Sequence, residues 1–296
     1  MTAIAVERPR DHRGARLLRS TGRGLLFVAV PLVLWGLWEG YRWLWINRGW
    51  TWPFAVDQTT MPHVADIFRA LFRNPSSVSG GGDKLITLLL RSALFTAKEA
   101  VVGFALGASI GFLLGVVLAQ WRLLQRGFLP YIVASQTVPI LAVAPIVVVY
   151  LGTLQVAAWF SVAVIAAYLT FFPVAISTLR GLQSADRQAL ELMRSYAAGR
   201  LTVLWKLRLP TALPYIFAAL KVSATASIVG AIIGELPSGI QDGLGGKILV
   251  FNQYYGLDPT QLWATNLIAA LLGICFFLVV VLAERLVVRR APENLA

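Results

Sequence analysis

Six apolar segments alternate with polar segments along this chain, and each is long enough to form a helix that crosses the hydrocarbon of a membrane. Because a bilayer offers the backbone no hydrogen-bond partners, uninterrupted apolar segments of this length are typical of membrane-spanning helices. The pattern therefore predicts an all-α, polytopic integral membrane protein with about six transmembrane helices. The predicted spans cover residues 25–46, 92–120, 128–151, 155–179, 214–236 and 262–283.

The polar segments divide the chain further. Residues 1–24 form a basic flank with six arginines, and we expect this flank to lack a fixed structure. Residues 47–91 join the first span (25–46) to the second, and the apolar face between Pro62 and Phe72 predicts a short amphipathic helix. The other five spans form a core domain over residues 92–285, which contains a long polar loop at 180–213 and is followed by a tail at 286–296.

Composition and charge agree with a membrane protein. Of the 296 residues 57% are hydrophobic and 14% are charged, and the mean hydropathy is +0.70. The net charge of +12 is compatible with nucleic-acid binding, but lysine and arginine lie mainly at the ends of apolar segments. With both termini in the cytoplasm, 17 of these residues fall in cytoplasmic segments and 6 in outer segments. This asymmetry predicts a multi-pass membrane protein with both termini and the 180–213 loop in the cytoplasm.

The second span carries glycine at every fourth position. Gly103, Gly107, Gly111 and Gly115 fall on one stripe of a helix. Small residues at this spacing let another helix approach closely, which is how helices associate in lipid. The stripe therefore predicts helix packing rather than ligand binding.

The third span is the first candidate for a solute pathway, because it contains three prolines. Proline frees backbone groups, and at membrane depth such groups are tolerated only inside protein or beside a cavity. We therefore take Gln136, Thr137 and Pro139 as pathway candidates. The alternative is a kinked packing helix whose polar groups bond to its own backbone.

The fifth span offers a second group of pathway candidates. Ser223 and Ser227 share one helix face, and Glu235 follows near the end of the span. The alternative is that these small hydroxyl groups face a neighbouring helix.

The sequence lacks the motifs of several catalytic classes. It contains no phosphate-binding loop, since Gln241 stands where the first glycine before Lys247 would be required. Its only histidines, His12 and His63, lie outside the spans, and no cluster has metal-ligand spacing. We therefore expect no catalytic residue, no metal site and no cofactor bound by this chain.

The most distinctive polar stretch runs from Asp186 to Pro214. It predicts a short exposed helix over 189–198, a turn at the small residues Ala198 and Gly199, and an end to the run at Pro210. An exposed helix between two membrane spans is most simply a docking surface for another protein.

This stretch resembles the cytoplasmic loop of the transmembrane subunits of ABC importers. That loop reads Glu-Ala-Ala, three residues, Gly, nine residues, an aliphatic residue, one residue, then Leu-Pro. Here Leu192 and Met193 replace the two alanines, and an alanine replaces the glycine. The flanking PTALPYIFAALKVS and the later GELPSGIQDGLGG resemble the nitrate, sulfonate and taurine branch, which includes pyrimidine-precursor and riboflavin permeases. The matching positions are Glu191, Ala197, Leu207, Leu209 and Pro210.

The resemblance implies a type I importer permease fold in the bacterial cytoplasmic (inner) membrane and a subunit that hydrolyses no ATP itself. It also implies a second copy of this chain or a paralogous permease, two copies of a cytoplasmic ATPase that uses ATP and Mg²⁺, and a periplasmic or lipid-anchored solute-binding protein. Pro210 would separate the docking helix from the fifth span. The residues expected to couple the permease to the ATPase are Glu191, Arg194, Ser195, Ala197, Ala198, Gly199, Leu207, Leu209 and Pro210.

The competing hypothesis is a secondary transporter or channel that works without an ATPase. Such a protein needs charged residues deep in several spans to bind or select ions. The spans offer only Lys221 at depth and, nearer their edges, Glu39, Lys98, Glu99 and Glu235.

Overall fold

The computed structural model describes residues 12–52, 55–75 and 82–288, except for the side chains of residues 12–28. Within these ranges the chain forms α-helices and no β-strand. A short π-helical turn, Leu204–Arg208, joins two of them. The α-helices are α1 His12–Arg48, α2 Val64–Leu71, α3 Leu85–Gln120, α4 Arg122–Ser135, α5 Ile140–Thr153, α6 Ala158–Gln183, α7 Arg187–Ser195, α8 Arg200–Val203, α9 Leu209–Ser238, α10 Leu244–Gln253 and α11 Pro259–Val287.

Four helical segments in the described part of the chain are long and apolar enough to cross a membrane. They are α3, α6, α11 and the continuous run Arg200–Ser238, which joins α8 to α9. The bent pair α4 and α5 makes a fifth when it is counted as one span. The predicted all-α, membrane-spanning fold is therefore confirmed. The described part of the chain has four or five such spans where the sequence predicted about six, and α1 is not among them.

The N-terminal flank differs from its prediction. Helix α1 begins at His12 and contains the predicted first span, so the second half of the 1–24 flank is helical rather than unstructured. A helix that continues into a span needs no separate nucleus, which explains why arginine-rich sequence can extend it. Arg8 and Arg10 of the flank and residues 289–296 of the predicted tail lie outside the described residues.

The chain divides into two compact units, Met1–Arg69 and Ala70–Ala296. In the first unit, the buried Arg42 ties α1 to the segment before α2. Its Nη1 donates to the carbonyl of Met61 at 2.6 Å, and its Nε donates to Nε2 of His63 at 3.2 Å. Nδ1 of His63 lies 2.8 Å from Oε2 of Glu39. His63 thus has a structural partner on each side of its ring.

In the second unit, α3 and α6 run parallel to each other, and α9 runs antiparallel to both. Gly103 near the middle of α3 lies against Ala163 early in α6, and Gly115 lies against Thr178 late in α6. Gly181 late in α6 lies against Ala212 early in α9, and Gly230 late in α9 lies against Ala166 early in α6, so these two helices run in opposite directions. Lys221 of α9 pairs with Glu284 late in α11, and Ile228 further along α9 shares a cluster with Leu272 and Phe276, so α11 is antiparallel to α9 and therefore parallel to α3. We call the end of the bundle where α3 and α6 finish the loop end, because α7 follows there, and the end that carries α10 the opposite end.

The glycine stripe of α3 forms the contact with α6. A Cβ atom at Gly103, Gly107 or Gly111 would overlap a carbonyl oxygen of α6, and one at Gly115 would come within 2.6 Å of Thr178. All four glycines are buried. The two backbones are therefore too close for any side chain at these positions.

We expect Gly107→Ala to lower the free energy of unfolding by about 1–3 kcal/mol, the usual cost of overpacking. The added Cβ would overlap the carbonyl of Ala167 and approach Cβ of Thr170 to 2.8 Å. Thermal unfolding of the purified protein in detergent measures the change. Gly273→Ala in α11 is the matched control, because a Cβ there meets no atom within 4 Å. Equal behaviour of the two variants would contradict the close packing of α3 and α6.

Candidate functional site

The loop between α6 and α9 begins with a capped helix. Oδ2 of Asp186 accepts a hydrogen bond from the backbone N–H of Ala189 at 3.2 Å, which caps the start of α7. Nε of Arg187 donates to Oε1 of Glu191 at 3.0 Å, one helical turn away. Both side chains are well exposed, so this ion pair contributes little to stability and leaves Glu191 available to a partner.

Helix α7 ends in a Schellman turn centred on Ala197. The N–H of Ala198 donates to the carbonyl of Met193 at 3.0 Å, and the N–H of Ala197 donates to that of Arg194 at 2.9 Å. Ala197 has a φ of 50°, in the left-handed region that favours glycine. The left-handed residue is thus the one that aligns with the family's glycine, and Gly199 instead has an extended backbone before α8.

The helix that follows this turn continues into the next span without a break, contrary to the expectation that Pro210 separates them. Leu204–Arg208 form a π-helical turn in which the N–H of Leu209 donates to the carbonyl of Leu204. Proline has no N–H to donate, so the wider turn accommodates Pro210 at the start of α9. Oγ1 of Thr211 also donates to the carbonyl of Leu207, at 2.7 Å.

The loop presents apolar side chains to its surroundings. Tyr196 is 75% exposed and Trp205 63%, and Leu192 and Leu201 are exposed as well. By contrast, Leu209 packs against the buried cluster of Leu182, Ala212 and Ile216. One side of the loop is therefore anchored to α6 and α9, and the other is an apolar surface of the kind that marks protein interaction sites.

The remaining predicted coupling residues take varied positions. Arg194, Ala198 and Arg200 line a cavity of about 370 Å³ beside the loop. Oγ of Ser195 donates to the carbonyl of Leu192 at 2.8 Å, which satisfies it within α7. Leu207 is half-buried in the π-helical turn. The structure thus brings Glu191, Arg194 and Ala197 together at the end of α7, and Leu209 packs against the cluster that holds the loop to α6 and α9.

The predicted third span bends by 98° between α4 and α5. Gln136, Thr137 and Pro139 lie in this break and are exposed. Oγ1 of Thr137 donates to the carbonyl of Ala134 at 2.7 Å, and Oη of Tyr168 on α6 donates to that of Ser135 at 2.7 Å. The carbonyls of Ala134 and Ser135 also accept backbone hydrogen bonds from Thr137 and Val138, so the break leaves neither of them free.

Ser223 and Ser227 are fully buried on α9. Oγ of Ser223 donates to the carbonyl of Thr170 on α6 at 3.3 Å, and Oγ of Ser227 donates to that of Ala224 at 2.9 Å. Both hydroxyl groups are thus enclosed by helix packing rather than turned to an open surface. The structure favours the packing alternative for this pair over the pathway alternative.

Glu235 is also fully buried, and it caps α10 at the opposite end of the bundle. Its Oε1 accepts a hydrogen bond from Oγ1 of Thr96 at 2.6 Å, and its Oε2 accepts one from the N–H of Gly245. The N–H of Leu244 donates to Oγ1 of Thr96 at 2.9 Å. The first amides of α10 are therefore satisfied by side chains of α3 and α9.

Sequence reasoning did not find this cluster. Glu99, one helical turn after Thr96 on α3, is fully buried beside Glu235. The available signal was that two acidic residues, Glu99 and Glu235, stand in otherwise apolar spans. Such residues are rare in lipid and lie inside the bundle. Gly243 and Gly245 keep the space that the side chain of Glu235 occupies.

Lys221, the charge at depth in the fifth span, has a partner. Its Nζ lies 3.1 Å and 2.9 Å from the two carboxylate oxygens of Glu284 on α11. Lys98 lies over the ring of Trp159, 4.4 Å from its centroid. These charges therefore link neighbouring helices.

Residues 107–291 match the family described as binding-protein-dependent transport system inner membrane component. The chain is 33% identical to a formylaminopyrimidine transport permease protein of Halalkalibacterium halodurans, over 64% of this chain and 75% of the relative. It is 31% identical to a riboflavin transport system permease protein of Chloroflexus aurantiacus, over 68% and 73%.

A third relative and a solved transporter structure are also similar to this chain. A putative aliphatic sulfonates transport permease protein of Bacillus subtilis is 30% identical over 65% of this chain and 66% of the relative. The crystal structure of an amino acid ABC transporter with histidines superimposes with a TM-score of 0.56 at 16% identity, covering 68% of this chain and 95% of that chain. At that identity the superposition shows a shared fold.

The turn at Ala197 gives a testable prediction. Because Ala197 is left-handed, Ala197→Gly should stabilise the end of α7 by about 0.5–1 kcal/mol, whereas Ala198→Gly should destabilise it. Hydrogen–deuterium exchange of the peptide covering residues 187–200 measures both, with slower exchange expected in the first variant and faster exchange in the second. Equal shifts in the same direction would show that the left-handed residue is not at 197.

The cap on α10 gives another prediction. Glu235→Ala removes the acceptor of Gly245 and should destabilise the start of α10 by about 1–3 kcal/mol, the cost of leaving buried donors unpaired. Amide exchange over residues 244–253 should therefore become faster. Asp242→Ala is the control, because Asp242 is exposed next to the same helix. Protection of α10 that survives Glu235→Ala would rule out the cap.

Proposed function

The chain belongs to the family of inner membrane components of binding-protein-dependent transport systems, and on this premise we propose that its α7 loop docks onto a separate ATPase. The protein is the membrane-spanning permease subunit of an ABC importer and is not itself an enzyme. The observation that carries the docking proposal is the exposed face of the loop, where Glu191, Leu192 and Tyr196 surround a turn that is anchored from behind by Leu209.

In this proposal, ATP and Mg²⁺ bind to the partner ATPase. The movement of the ATPase then changes the side of the membrane to which the solute pathway of the permease opens. Two copies of the ATPase close on ATP and carry the α7 helices of two permease copies with them. Because Arg200–Ser238 is one continuous helical run, displacement of the loop passes directly into a membrane span. Glu191 and Arg194 supply charged contacts, and the Ala197 turn permits close approach.

The proposed orientation places the loop end in the cytoplasm of a bacterium, with both termini on the same side. The excess of lysine and arginine in the flank, the α3–α4 corner and the α7 loop supports it. The opposite end, with α10, then faces the solute-binding protein that delivers cargo.

We place the solute pathway beside the break between α4 and α5, where Gln136, Thr137 and Pro139 are exposed. Leu141, Ile146, Val149 and Tyr150 of α5 are exposed next to it. A second copy of this chain, or a paralogous permease, would cover this face and enclose the pathway between the two. The burial of Ser223, Ser227 and Glu235 supports a structural role for them instead.

The solute that the similarity favours is a nitrogen heterocycle, because two relatives of 33% and 31% identity are named for transport of formylaminopyrimidine and riboflavin. The burial or pairing of the charged groups in the spans supports weak binding along the path, with selectivity supplied by the binding protein.

Gentle purification from the native membrane, followed by mass spectrometry, tests the docking proposal. We expect an ATPase with a phosphate-binding loop to accompany the permease at equal stoichiometry. Glu191→Lys should reduce this recovery about tenfold or more, because it reverses a charge at the interface. The variant should still reach the membrane, since its ion pair with Arg187 is exposed.

Asp242→Lys is the matched control, since it makes the same charge change at an exposed residue of the opposite end. It should leave recovery of the ATPase unchanged. If folded permease is isolated alone, or if Glu191→Lys and Asp242→Lys recover the ATPase equally, the α7 loop is not the docking site.

A further inference from the structure

A basic cavity opens at the loop end, separate from the exposed face of α7. It has a volume of about 500 Å³ and lies between the corner that joins α3 to α4 and the loop that follows α6. Its polar lining consists of three arginines and two glutamines, and none of the described residues that line it is acidic. These polar residues are Arg122, Gln125, Arg126, Gln183 and Arg208.

The arginines of this cavity have no anionic partner within the described part of the chain. The ion pairs there involve other residues, and Nε of Arg208 is buried without a hydrogen-bond acceptor. A buried guanidinium N–H without an acceptor is costly. By contrast, the side chains of the two glutamines form a hydrogen bond with each other, in which Nε2 of Gln183 donates to Oε1 of Gln125 at 2.9 Å. The cavity is therefore built for an anion that the chain itself does not supply.

The position of the cavity relates it to the membrane surface. It begins where the apolar helix α3 ends, and three large apolar side chains are exposed beside it: Trp121, Leu123 and Phe128. Exposed tryptophan next to basic residues at the end of a span is typical of the level of the lipid headgroups. Basic pockets between membrane helices at this level fit anionic headgroups.

We propose that this cavity binds the phosphate of an anionic phospholipid of the phosphatidylglycerol class. The guanidinium groups of Arg122 and Arg126 on α4 and Arg208 before α9 provide planar forks of donors that suit a phosphate. The acyl chains extend past Leu123 and Phe128 into the bilayer. The proposal rests on the membrane-spanning fold, so it does not depend on which protein docks at α7.

Such a lipid would also connect two elements of the coupling region. Arg122 and Arg126 belong to α4, which leads into the break beside the proposed pathway, and Arg208 belongs to the π-helical turn that continues into α9. A phosphate held by both elements adds a link between them that the described side chains do not make directly. The occupied cavity therefore restrains the loop relative to the corner of α3 and α4.

Native mass spectrometry of the purified full-length chain, titrated with dioleoylphosphatidylglycerol or dioleoylphosphatidylcholine, tests this. We expect the wild type to retain the anionic lipid preferentially. The double variant Arg126→Gln and Arg208→Gln should bind it about tenfold more weakly, because two of the three phosphate contacts are lost. Arg126→Gln alone, at an exposed side chain, should show a smaller reduction, and Arg126→Lys should bind with an affinity between those of Arg126→Gln and the wild type, because it keeps the charge but loses the planar fork of donors.

The matched control is Arg187→Gln with Arg285→Gln, which removes two exposed arginines outside the cavity and near the same end. It should bind the lipid like the wild type. If both double variants bind the lipid equally weakly, the loss of binding follows from the lower net charge alone, and the proposed site is wrong. Unchanged binding in the cavity variants would also overturn it. Displacement of the lipid by equimolar inorganic phosphate would assign the cavity to a soluble anion instead and overturn the lipid assignment.

Discussion

The contact between the backbones of α3 and α6 is the interaction on which the rest of this structure depends. Lipid gives apolar helices no hydrophobic reason to associate, so their association relies on close packing and internal hydrogen bonds. Four glycines on α3 bring it so near to α6 that a single added Cβ atom would overlap backbone. Helix α9 runs antiparallel to α3 and α6 and packs against both. This arrangement places the α7 loop at one end of the bundle and α10 at the other.

That arrangement also explains how the loop end can transmit movement. The α7 loop is held by two spans, α6 before it and the continuous run Arg200–Ser238 after it. The π-helical turn lets the chain pass Pro210 without interrupting this run. At the opposite end, Glu235 and Thr96 connect α9 and α3 to the first amides of α10. A displacement of α9 therefore reaches both ends of the molecule through packed helices and hydrogen bonds.

The sequence was most informative where one physical rule acts alone. Lipid imposes apolar length, which predicted the core spans, and close helix packing requires small residues, which identified the stripe from Gly103 to Gly115. The motif alignment also placed Ala197 at the position of the family's glycine, where the structure has its left-handed residue.

Sequence was less informative where several elements meet. The prolines of the third span indicated kinks, but they did not predict the 98° bend or the hydrogen bond that Tyr168 of α6 donates to the carbonyl of Ser135 there. The cap on α10 also depends on Thr96 of α3, which donates to Glu235 across a separation of 139 positions in the sequence. No local pattern records such a contact. The seryl groups on α9 could not be assigned from spacing, because a helix face alone does not say whether a neighbour or a pathway covers it.

The central claim, that ATP draws the α7 loops of two permease copies together, is tested most directly by a distance. A spin label at Leu192→Cys, in a Cys275→Ser background that removes the only native cysteine, reports the separation of the two loops in the assembled transporter. The account predicts a shorter distance when ATP is bound without hydrolysis than in the nucleotide-free state. An unchanged distance, in a transporter whose ATPase binds ATP normally, would contradict it.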